Sequence, residues 1–276
     1  MEILPSIDQR AYSHFSTQEL RQAFLVEGLF QPGKVVLKYW ETDRTVLGGI
    51  VPGAERISLP CPRELAANFF NERRELGVIN LGEAGSIVVD GTTYTLQPHD
   101  CLYVGRGARS VDFSSADPAK RAQYYLLSYP AHMDYPTTHA AFAQTTGTEL
   151  GAAAQANART LYKFIHKNGI KSCQLVMGMT VIKTGSAFNT MPPHTHLRRS
   201  EIYLYFNIPD EAAVFHFAGR PDETRHLMVH DRQVVLSPPW SIHCGAGTSA
   251  YSFVWGMGGE NQEFSDMDSA PIKSLR

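Results

Sequence analysis

The sequence predicts an all-β protein made of two similar strand-rich repeats. Short segments rich in Val, Ile, Tyr and Phe are separated by Gly, Pro and Asp, and few helical periods occur. This texture is typical of a β-sandwich or barrel. At 276 residues the chain exceeds the size of about 250 residues above which chains tend to divide. An internal match between the halves favours two domains, 1–145 and 146–276.

The first half is expected to begin with a helix and to continue as strands. Ser16 and Glu19 have capping-box spacing and precede the apolar run Leu20 to Phe24. Asp90-Gly91 is a strong signal for a hairpin turn. The predicted strands of this half are 35–39, 78–81, 86–89, 93–96 and 123–128.

The second half is expected to follow a linker over 133–159, rich in Ala, Thr and Gly, with a short helix over 152–158. The predicted strands are 172–182, 201–206, 213–218, 226–229, 233–236 and 249–256. Residues 233–243 align without gaps on residues 100–110, which is the clearest sign of the repeat.

Composition excludes several classes of function. The net charge is −2 and no run of Lys or Arg is long enough to follow a phosphate backbone, so no nucleic-acid partner is expected. No apolar stretch of about 18 residues predicts a membrane span. Cys61, Cys101, Cys173 and Cys244 form no C-x-x-C pair and are interpreted as buried or partly buried thiols of a reducing cytoplasm.

One group of side chains has the spacing of a metal site. His194 and His196 lie two residues apart, so on an extended segment both imidazoles point to the same side. Glu201 follows after a stretch long enough for a turn, and His243 arrives about forty residues later, after a hairpin. The other eight histidines lack such neighbours and are interpreted as surface or satisfied core residues.

The donor set limits the metal without selecting one. Three imidazoles and a carboxylate suit zinc, iron(II), manganese, nickel and cobalt. Four protein ligands with room for water or substrate indicate a catalytic site and not a closed structural one.

The ligand motif resembles that of the cupin superfamily, in which H-x-H and a Glu are followed by a later P-x-G-x-x-H turn. The segment from Pro238 to His243 keeps the Pro and the His, but Trp240 stands where the Gly would be. Two further positions differ from the superfamily pattern. This chain has Ile208 where the pattern has a Gly, and Gly247 where it has an Asn.

A closer resemblance covers essentially the whole chain. The stretches 191–206 (MPPHTHLRRSEIYLYF) and 236–243 (LSPPWSIH) are similar to the 4-deoxy-L-threo-5-hexosulose-uronate ketol-isomerases of bacterial pectin breakdown. The resemblance implies a bicupin of two jelly-roll barrels, a homohexamer, a cytoplasmic location and one Zn²⁺ per subunit. It also implies zinc ligands at His194, His196, Glu201 and His243.

The first repeat is predicted to hold no metal. At the corresponding positions it offers Phe69, Asn71, Glu75 and Ser110, of which only the Glu could be a ligand. We therefore expect one metal per chain, with the first barrel serving packing and assembly.

The reaction implied by the resemblance is an aldose–ketose isomerisation of a small keto-uronate, from 5-dehydro-4-deoxy-D-glucuronate to 3-deoxy-D-glycero-2,5-hexodiulosonate. A metal that chelates both reacting oxygens would stabilise the enediolate. The proton must be carried between two carbons, for which Glu201, Tyr203 and Tyr205 are candidates.

The substrate carboxylate needs a cationic partner, and a planar guanidinium fits it best. Arg198 and Arg199 lie near the site in the sequence, and Lys163 or Lys183 could approach on an adjacent strand. Arg198 and Lys183 are the preferred substrate-binding candidates, with Glu201 and Tyr203 preferred for proton transfer.

Three alternatives to this function stay open. They are 5-deoxyglucuronate isomerase of inositol catabolism, an iron-dependent cupin dioxygenase, and a non-catalytic sugar-binding cupin. The same four ligands could support the dioxygenase.

Overall fold

The computed structural model describes residues 1–276 and contains 24 strands, two α-helices and six 3-10 turns. The helices are α1 (Gln9–His14) and α2 (Thr17–Phe24). The strands of the first half are β1 (Glu2–Leu4), β2 (Leu25–Val26), β3 (Val35–Trp40), β4 (Thr45–Ile50), β5 (Ile57–Ser58), β6 (Arg74–Asn80), β7 (Gly85–Val89), β8 (Thr92–Leu96), β9 (Cys101–Val104), β10 (Val111–Ser115), β11 (Tyr124–Pro130) and β12 (Thr138–Ala140).

The second half contributes the other twelve strands. They are β13 (Thr148–Leu150), β14 (Arg159–Ile165), β15 (Val176–Ile182), β16 (Phe188–Asn189), β17 (His194–Thr195), β18 (Arg199–Phe206), β19 (Val214–Arg220), β20 (Glu223–Val229), β21 (Val234–Ser237), β22 (Cys244–Gly247), β23 (Ser252–Gly259) and β24 (Asp268–Ser269). No helix has the length and apolarity needed to span a bilayer.

The two halves repeat one topology. The first contains the sheets β1-β3-β4-β11-β6-β9-β12 and β5-β10-β7-β8, and the second contains β13-β14-β15-β23-β18-β21-β2 and β16-β22-β19-β20. Matching β3 with β14, β4 with β15 and onward to β11 with β23 reproduces every internal strand neighbour of these sheets. The two-stranded sheet β17-β24 has no counterpart in the first repeat. This confirms the predicted all-β fold of two jelly-roll repeats.

The division of the chain differs from the predicted domains 1–145 and 146–276. One compact unit contains residues 1–4, 29–145 and 164–176, and the other contains 5–28, 146–163 and 177–276. The break after residue 145 coincides with the predicted one, but two segments exchange. Residues 5–28 join the second unit because β2 pairs with β21 there, with Leu25 opposite Val235.

The helices agree only in part with the sequence prediction. Ser16 and Glu19 form the predicted capping box at the start of α2. The predicted helix over 152–158 is wrong, because only the 3-10 turn Ala153–Gln155 forms before Ala156 adopts a left-handed φ of 52°. Helix α1 was not predicted, since six residues capped by Asp8 carry no clear apolar period.

The hairpin at Asp90-Gly91 is confirmed. The two residues have φ values of 47° and 84°, and they connect Val89 to its partner Thr92. The Asp90 carboxylate accepts hydrogen bonds from the backbone N–H groups of Arg109 and Ser110, at 2.9 and 2.8 Å. Positive φ at both positions is the geometry that fits the twist of the flanking strands.

The interior of the first barrel is apolar at the position of the predicted ligand. Glu201 lies opposite Ser237 in the second repeat, and the equivalent pair in the first is Leu76 opposite Val104. Leu76 is fully buried in the apolar core of the first barrel. The expectation that Glu75 corresponds to Glu201 is therefore wrong, because neighbouring residues on a strand face opposite sides.

Candidate metal centre

The four predicted ligands meet in the second barrel. One donor atom from each of His194, His196, Glu201 and His243 lies within 4.8 Å of the donors of the other three, and all four residues are buried. The Nε2 atom of His194 lies 3.0 Å from Nε2 of His196 and 3.1 Å from Nε2 of His243. Oε2 of Glu201 lies 2.9 Å from Nε2 of both His196 and His243.

Three elements of the second barrel bring these side chains together. His194 lies on β17, which pairs with β24, and Glu201 lies inside the long strand β18. His243 ends the turn between β21 and β22, and this turn is held to the first ligand segment because the His196 N–H donates to the Pro239 carbonyl at 3.2 Å. The predicted strand, turn and hairpin thus form locally, and the neighbouring pairs close the group.

The outer nitrogens of two imidazoles fix the state of the inner ones. Nδ1 of His196 lies 2.5 Å from the Asp266 carbonyl, and Nδ1 of His243 lies 3.3 Å from the Ser241 carbonyl. A carbonyl can only accept, so each Nδ1 carries the proton and each Nε2 presents a lone pair to the centre. Lone pairs and a carboxylate at about 3 Å from one another repel unless a cation lies between them, so this donor set fits a divalent metal.

Electrostatics favour the protonation states that a metal needs. Burial, with His243 nearby, lowers the pKa of His194 to about 2, and burial also lowers the pKa of His196. Burial alone would raise the pKa of Glu201, but His243 and His196 bring it well below its usual range. At neutral pH His194 and His196 are therefore neutral and the carboxylate is ionised, which is the ligand form.

The centre opens into a cavity of about 290 Å³. His194, Glu201 and Tyr203 form part of its wall. Most of the remaining wall is apolar, and the rest of the lining comprises Leu150, Arg159, Leu161, Thr180, Thr190, Met191, Pro192, Phe253, Trp255, Met257, Phe264 and Met267. A polar cluster at one end of an apolar cavity is the usual form of a small-molecule site.

The two candidate tyrosines differ in their access to this cavity. Tyr203 lines it, and its hydroxyl lies 3.0 Å from Oγ1 of Thr190. Burial and the nearby Glu201 carboxylate raise the pKa of Tyr203 well above its usual value, so the phenol stays protonated. Tyr205 does not line the cavity, and its hydroxyl lies 2.8 Å from Nδ1 of His216.

The predicted substrate cations lie elsewhere. Arg198 does not line the cavity, and its Nε and Nη2 atoms bind the carboxylates of Asp266 and Asp268 at 2.7 and 3.0 Å. Lys183 forms an ion pair with Glu149 and is also absent from the wall. The expected approach of Arg198 and Lys183 to substrate is therefore corrected, because both charges are already paired with carboxylates outside the cavity.

The other two cations considered also have structural roles. Arg199 is buried and donates to the carbonyls of Glu263, Phe264 and Asp266. Lys163 lies 5.2 Å from the centre of the Phe264 ring. Together with Arg198, Arg199 thus holds the segment 263–268, whose Asp266 carbonyl orients His196.

One cation that sequence reasoning missed does line the cavity. Arg159 begins β14, and the only hydrogen bond that its guanidinium makes is from Nη1 to the Asn157 carbonyl at 2.9 Å. The segment 133–159 was interpreted as a linker, so its last residue was not assigned to a strand. The alternation of Arg159 with Leu161, which lines the same cavity, is the signal that could have found it.

Trp240 explains one departure from the superfamily turn. Its ring packs against the rings of Tyr12 and Phe24, at 5.2 and 6.2 Å between centroids. The Trp therefore serves as a docking point for α1 and α2 beside the turn that carries His243.

Comparison with known proteins identifies a family for this chain. Residues 26–272 match the family model described as KduI/IolB. The chain is 48% identical over 276 residues to the 4-deoxy-L-threo-5-hexosulose-uronate ketol-isomerase of Shouchella clausii, covering 100% of both chains. It is 53% identical over 263 residues to the enzyme of that name from Kineococcus radiotolerans, covering 94% of each chain.

Solved structures support the fold. An IolB-like protein from Salmonella typhimurium superposes with a TM-score of 0.70 at 14% identity, covering 87% of this chain and 94% of the other. Oxalate decarboxylase of Bacillus subtilis gives a TM-score of 0.55 at 10% identity, covering 81% of this chain and 70% of the other. The full-length match of the family model and of relatives near 50% identity establishes that this chain belongs to the KduI/IolB family.

Proposed function

We propose that the protein interconverts 5-dehydro-4-deoxy-D-glucuronate and 3-deoxy-D-glycero-2,5-hexodiulosonate. The observation that carries the proposal is the convergence of three imidazoles and one carboxylate at the end of a cavity sized for a six-carbon sugar. Relatives at 44–53% identity are named ketol-isomerases, so the chain is an enzyme of the isomerase type.

The donor set supports one Zn²⁺ per chain. His194, His196, Glu201 and His243 would hold it, and zinc accepts nitrogen and oxygen donors in this combination. A bound divalent ion would supply Lewis-acid stabilisation of negative charge on substrate oxygens, without any redox change.

Glu201 and Tyr203 are proposed to move the protons. Both imidazole contacts of Glu201 use Oε2, which leaves Oε1 as the oxygen that takes a proton from substrate C2 and delivers it to C1. The protonated Tyr203 phenol faces the same cavity. It would give its proton to O1 as the aldehyde becomes a hydroxyl, and it would take back the proton that leaves O2 as C2 becomes a ketone. Thr190 orients that phenol.

A second candidate is 5-deoxyglucuronate isomerase. The family description joins KduI with IolB, and an IolB-like protein shares the fold at a TM-score of 0.70. The sequence favours the first candidate, since identity to the ketol-isomerases is 44–53% and that to the IolB-like structure is 14%.

A substrate comparison on purified protein tests the proposal. Conversion of 5-dehydro-4-deoxy-D-glucuronate faster than of 5-deoxyglucuronate is expected, together with one zinc per chain by elemental analysis. The reverse preference would select the second candidate. Bound iron with oxygen consumption would indicate a dioxygenase, and bound metal without turnover of either sugar would indicate a binding protein.

The role of Tyr203 is tested by Tyr203→Phe, with Tyr205→Phe as the matched control. Loss of an acid or hydrogen-bond donor from the cavity is expected to lower kcat by about 100-fold. The zinc content should not change in either variant. Equal losses in both variants would contradict the assignment.

Two features stay predictions that rest on resemblance. They are assembly into a homohexamer and a cytoplasmic location. Light scattering on the purified protein checks the hexamer, and cell fractionation checks the location.

A further inference from the structure

The guanidinium of Arg159 lacks an anionic partner. Its Nη1 donates to the Asn157 carbonyl, and none of its nitrogens pairs with a carboxylate. The side chain is half-buried and lines a wall that also contains Leu150, Leu161 and Phe264. A charge held against apolar surface gains strongly from an anion that enters the cavity, because the local screening by water is weak.

Arg159 is the only Lys or Arg in the lining of this cavity. Arg198 is neutralised by Asp266 and Asp268, and Lys183 pairs with Glu149. An anionic ligand in the cavity therefore has one cationic side chain to bind, in addition to the metal centre.

The strand order leaves room for a six-carbon substrate between Arg159 and the candidate metal centre. Glu201 lies on β18 and Arg159 on β14, with β23 and β15 between them in one sheet. Three strand spacings give about 14 Å along a flat sheet, and less where a barrel curves. A six-carbon chain spans about 6 Å from C1 to C6 with C–C bonds of about 1.5 Å. The Arg and Glu side chains reach inward from both ends and cover the remainder.

We propose that Arg159 binds the C6 carboxylate of the substrate and thereby selects uronates over neutral sugars. This inference rests on the proposed function, which puts the reacting C1 and C2 at the His and Glu cluster. The planar guanidinium offers paired donors to a carboxylate, a geometry that a lysine ammonium does not reproduce.

The test compares Arg159→Met and Arg159→Lys with the control Lys183→Met, which removes an exposed cation outside the cavity. For the keto-uronate, Arg159→Met should raise KM on the order of 10- to 100-fold, with a smaller change in kcat. The matched sugar with a hydroxymethyl group at C6 should show no such rise. Arg159→Lys should recover part of the affinity, and Lys183→Met should behave as the wild type. Zinc content reports that the centre is intact.

A binding measurement separates this inference from the proposed function. Calorimetric titration with D-galacturonate and with D-galactose needs no turnover. The inference is supported if the wild type binds galacturonate and Arg159→Met weakens that binding on the order of 10- to 100-fold. This holds even where the wild type does not isomerise the keto-uronate. The inference fails if the wild type turns over both the keto-uronate and its hydroxymethyl analogue and Arg159→Met changes the two KM values equally or not at all. It also fails if the wild type does not isomerise and binds galacturonate no better than galactose.

Discussion

His216 lies completely inside the second barrel, where its Nδ1 contacts the Tyr205 hydroxyl and its Nε2 has no partner. The sequence predicts either a surface residue or a core residue whose hydrogen bonds are satisfied. His216 is a core residue, but only one of its two ring nitrogens has a partner. Burial, reinforced by His243, lowers its pKa to about 3. The folded protein therefore keeps this imidazole neutral at pH values where an unfolded chain protonates it.

Acid should destabilise the fold through His216. Between pH 6.5 and about 3 the unfolded state binds a proton at this residue and the folded state does not, so the free energy of unfolding falls as the pH falls. The loss from this residue is about 2 kcal/mol between pH 7 and pH 5. Urea unfolding of metal-free wild type and of His216→Leu at both pH values measures it.

Between pH 7 and pH 5, His216→Leu is expected to lose about 2 kcal/mol less of its free energy of unfolding than the wild type. His226→Gln removes an exposed histidine from a neighbouring strand and should follow the wild type. Parallel pH profiles for the wild type and His216→Leu would exclude the effect.

At this scale the sequence predicts the convergence of the four candidate ligands better than the positions of the substrate-binding cations. His194 and His196 were identified because a spacing of two on an extended segment forces both rings to one side. Arg198 looked equally well placed, but whether its charge is free depends on Asp266 and Asp268, almost seventy residues away. Such long-range pairing leaves no local pattern.

Among the elements, the turn of the β7–β8 hairpin depends on Gly91 for its backbone and not for space. Its φ is 84°, and a Cβ at this position would meet nothing within 4 Å. Gly53 has the same open surroundings, with no φ in the left-handed region. A comparison of alanine substitutions at Gly91 and Gly53 therefore measures backbone strain alone, because a Cβ meets no neighbouring atom at either position.

Gly91→Ala is expected to destabilise the protein by about 1 kcal/mol, because a side chain disfavours the left-handed region. Gly53→Ala should be neutral or slightly stabilising. Chemical denaturation of the two variants provides the measurement, and equal midpoints would contradict the explanation.

Glu75 holds a different element in place. Its carboxylate accepts hydrogen bonds from the backbone N–H groups of Cys173, Gln174 and Leu175 and from the Tyr103 hydroxyl, at 2.6 to 2.9 Å. Three of its four contacts therefore fix the segment 173–175 within the first unit, and the fourth ties the carboxylate to Tyr103. A ligand role was considered for this Glu from its place in the repeat, and its real role is to replace a missing strand partner for three amides.

Glu75→Gln should lower the free energy of unfolding by about 2–3 kcal/mol, because an amide donor then faces backbone donors in a buried site. Metal content, and the KM for the proposed keto-uronate substrate, should stay as in the wild type. Glu83→Gln, at an exposed carboxylate of the same unit, is the control and should be within about 0.5 kcal/mol of the wild type. A loss of zinc in Glu75→Gln would show that the first repeat supports the metal centre.

At the scale of the whole molecule, all four candidate ligands belong to one of the two compact units. Removal of the metal leaves three imidazole nitrogens and a carboxylate at about 3 Å from one another. The stability of the unit that contains them should therefore depend on free metal, and that of the other unit should not.

Calorimetry with and without a chelator tests this dependence. At a free divalent metal concentration 1,000-fold above its Kd, binding would stabilise the folded state by about 4 kcal/mol, so chelation should lower the Tm of the second unit clearly. With and without the chelator, the second unit of His243→Ala should unfold near the Tm of the chelated wild type. A chelator effect of equal size in that variant would show that the stabilising metal binds elsewhere.

The repeat architecture was predictable, whereas its boundaries were not. Alternating apolar residues and turn signals are local, and each of the eleven strands that they predict lies within a few residues of an observed strand, out of 24 that form. The assignment of 5–28 to the second unit depends on the pairing of Leu25 with Val235, which no local pattern encodes. A division by sequence position therefore fails at such exchanged segments.

That exchange orders the events of biosynthesis. Residues 5–28 leave the ribosome before residues 29–145 are made, yet Tyr12 and Phe24 pack against Trp240, which is translated much later. The nascent α1 and α2 must wait, without their native neighbours, until more than two hundred further residues have emerged. An amino-terminal deletion would consequently harm the half of the protein that is made last.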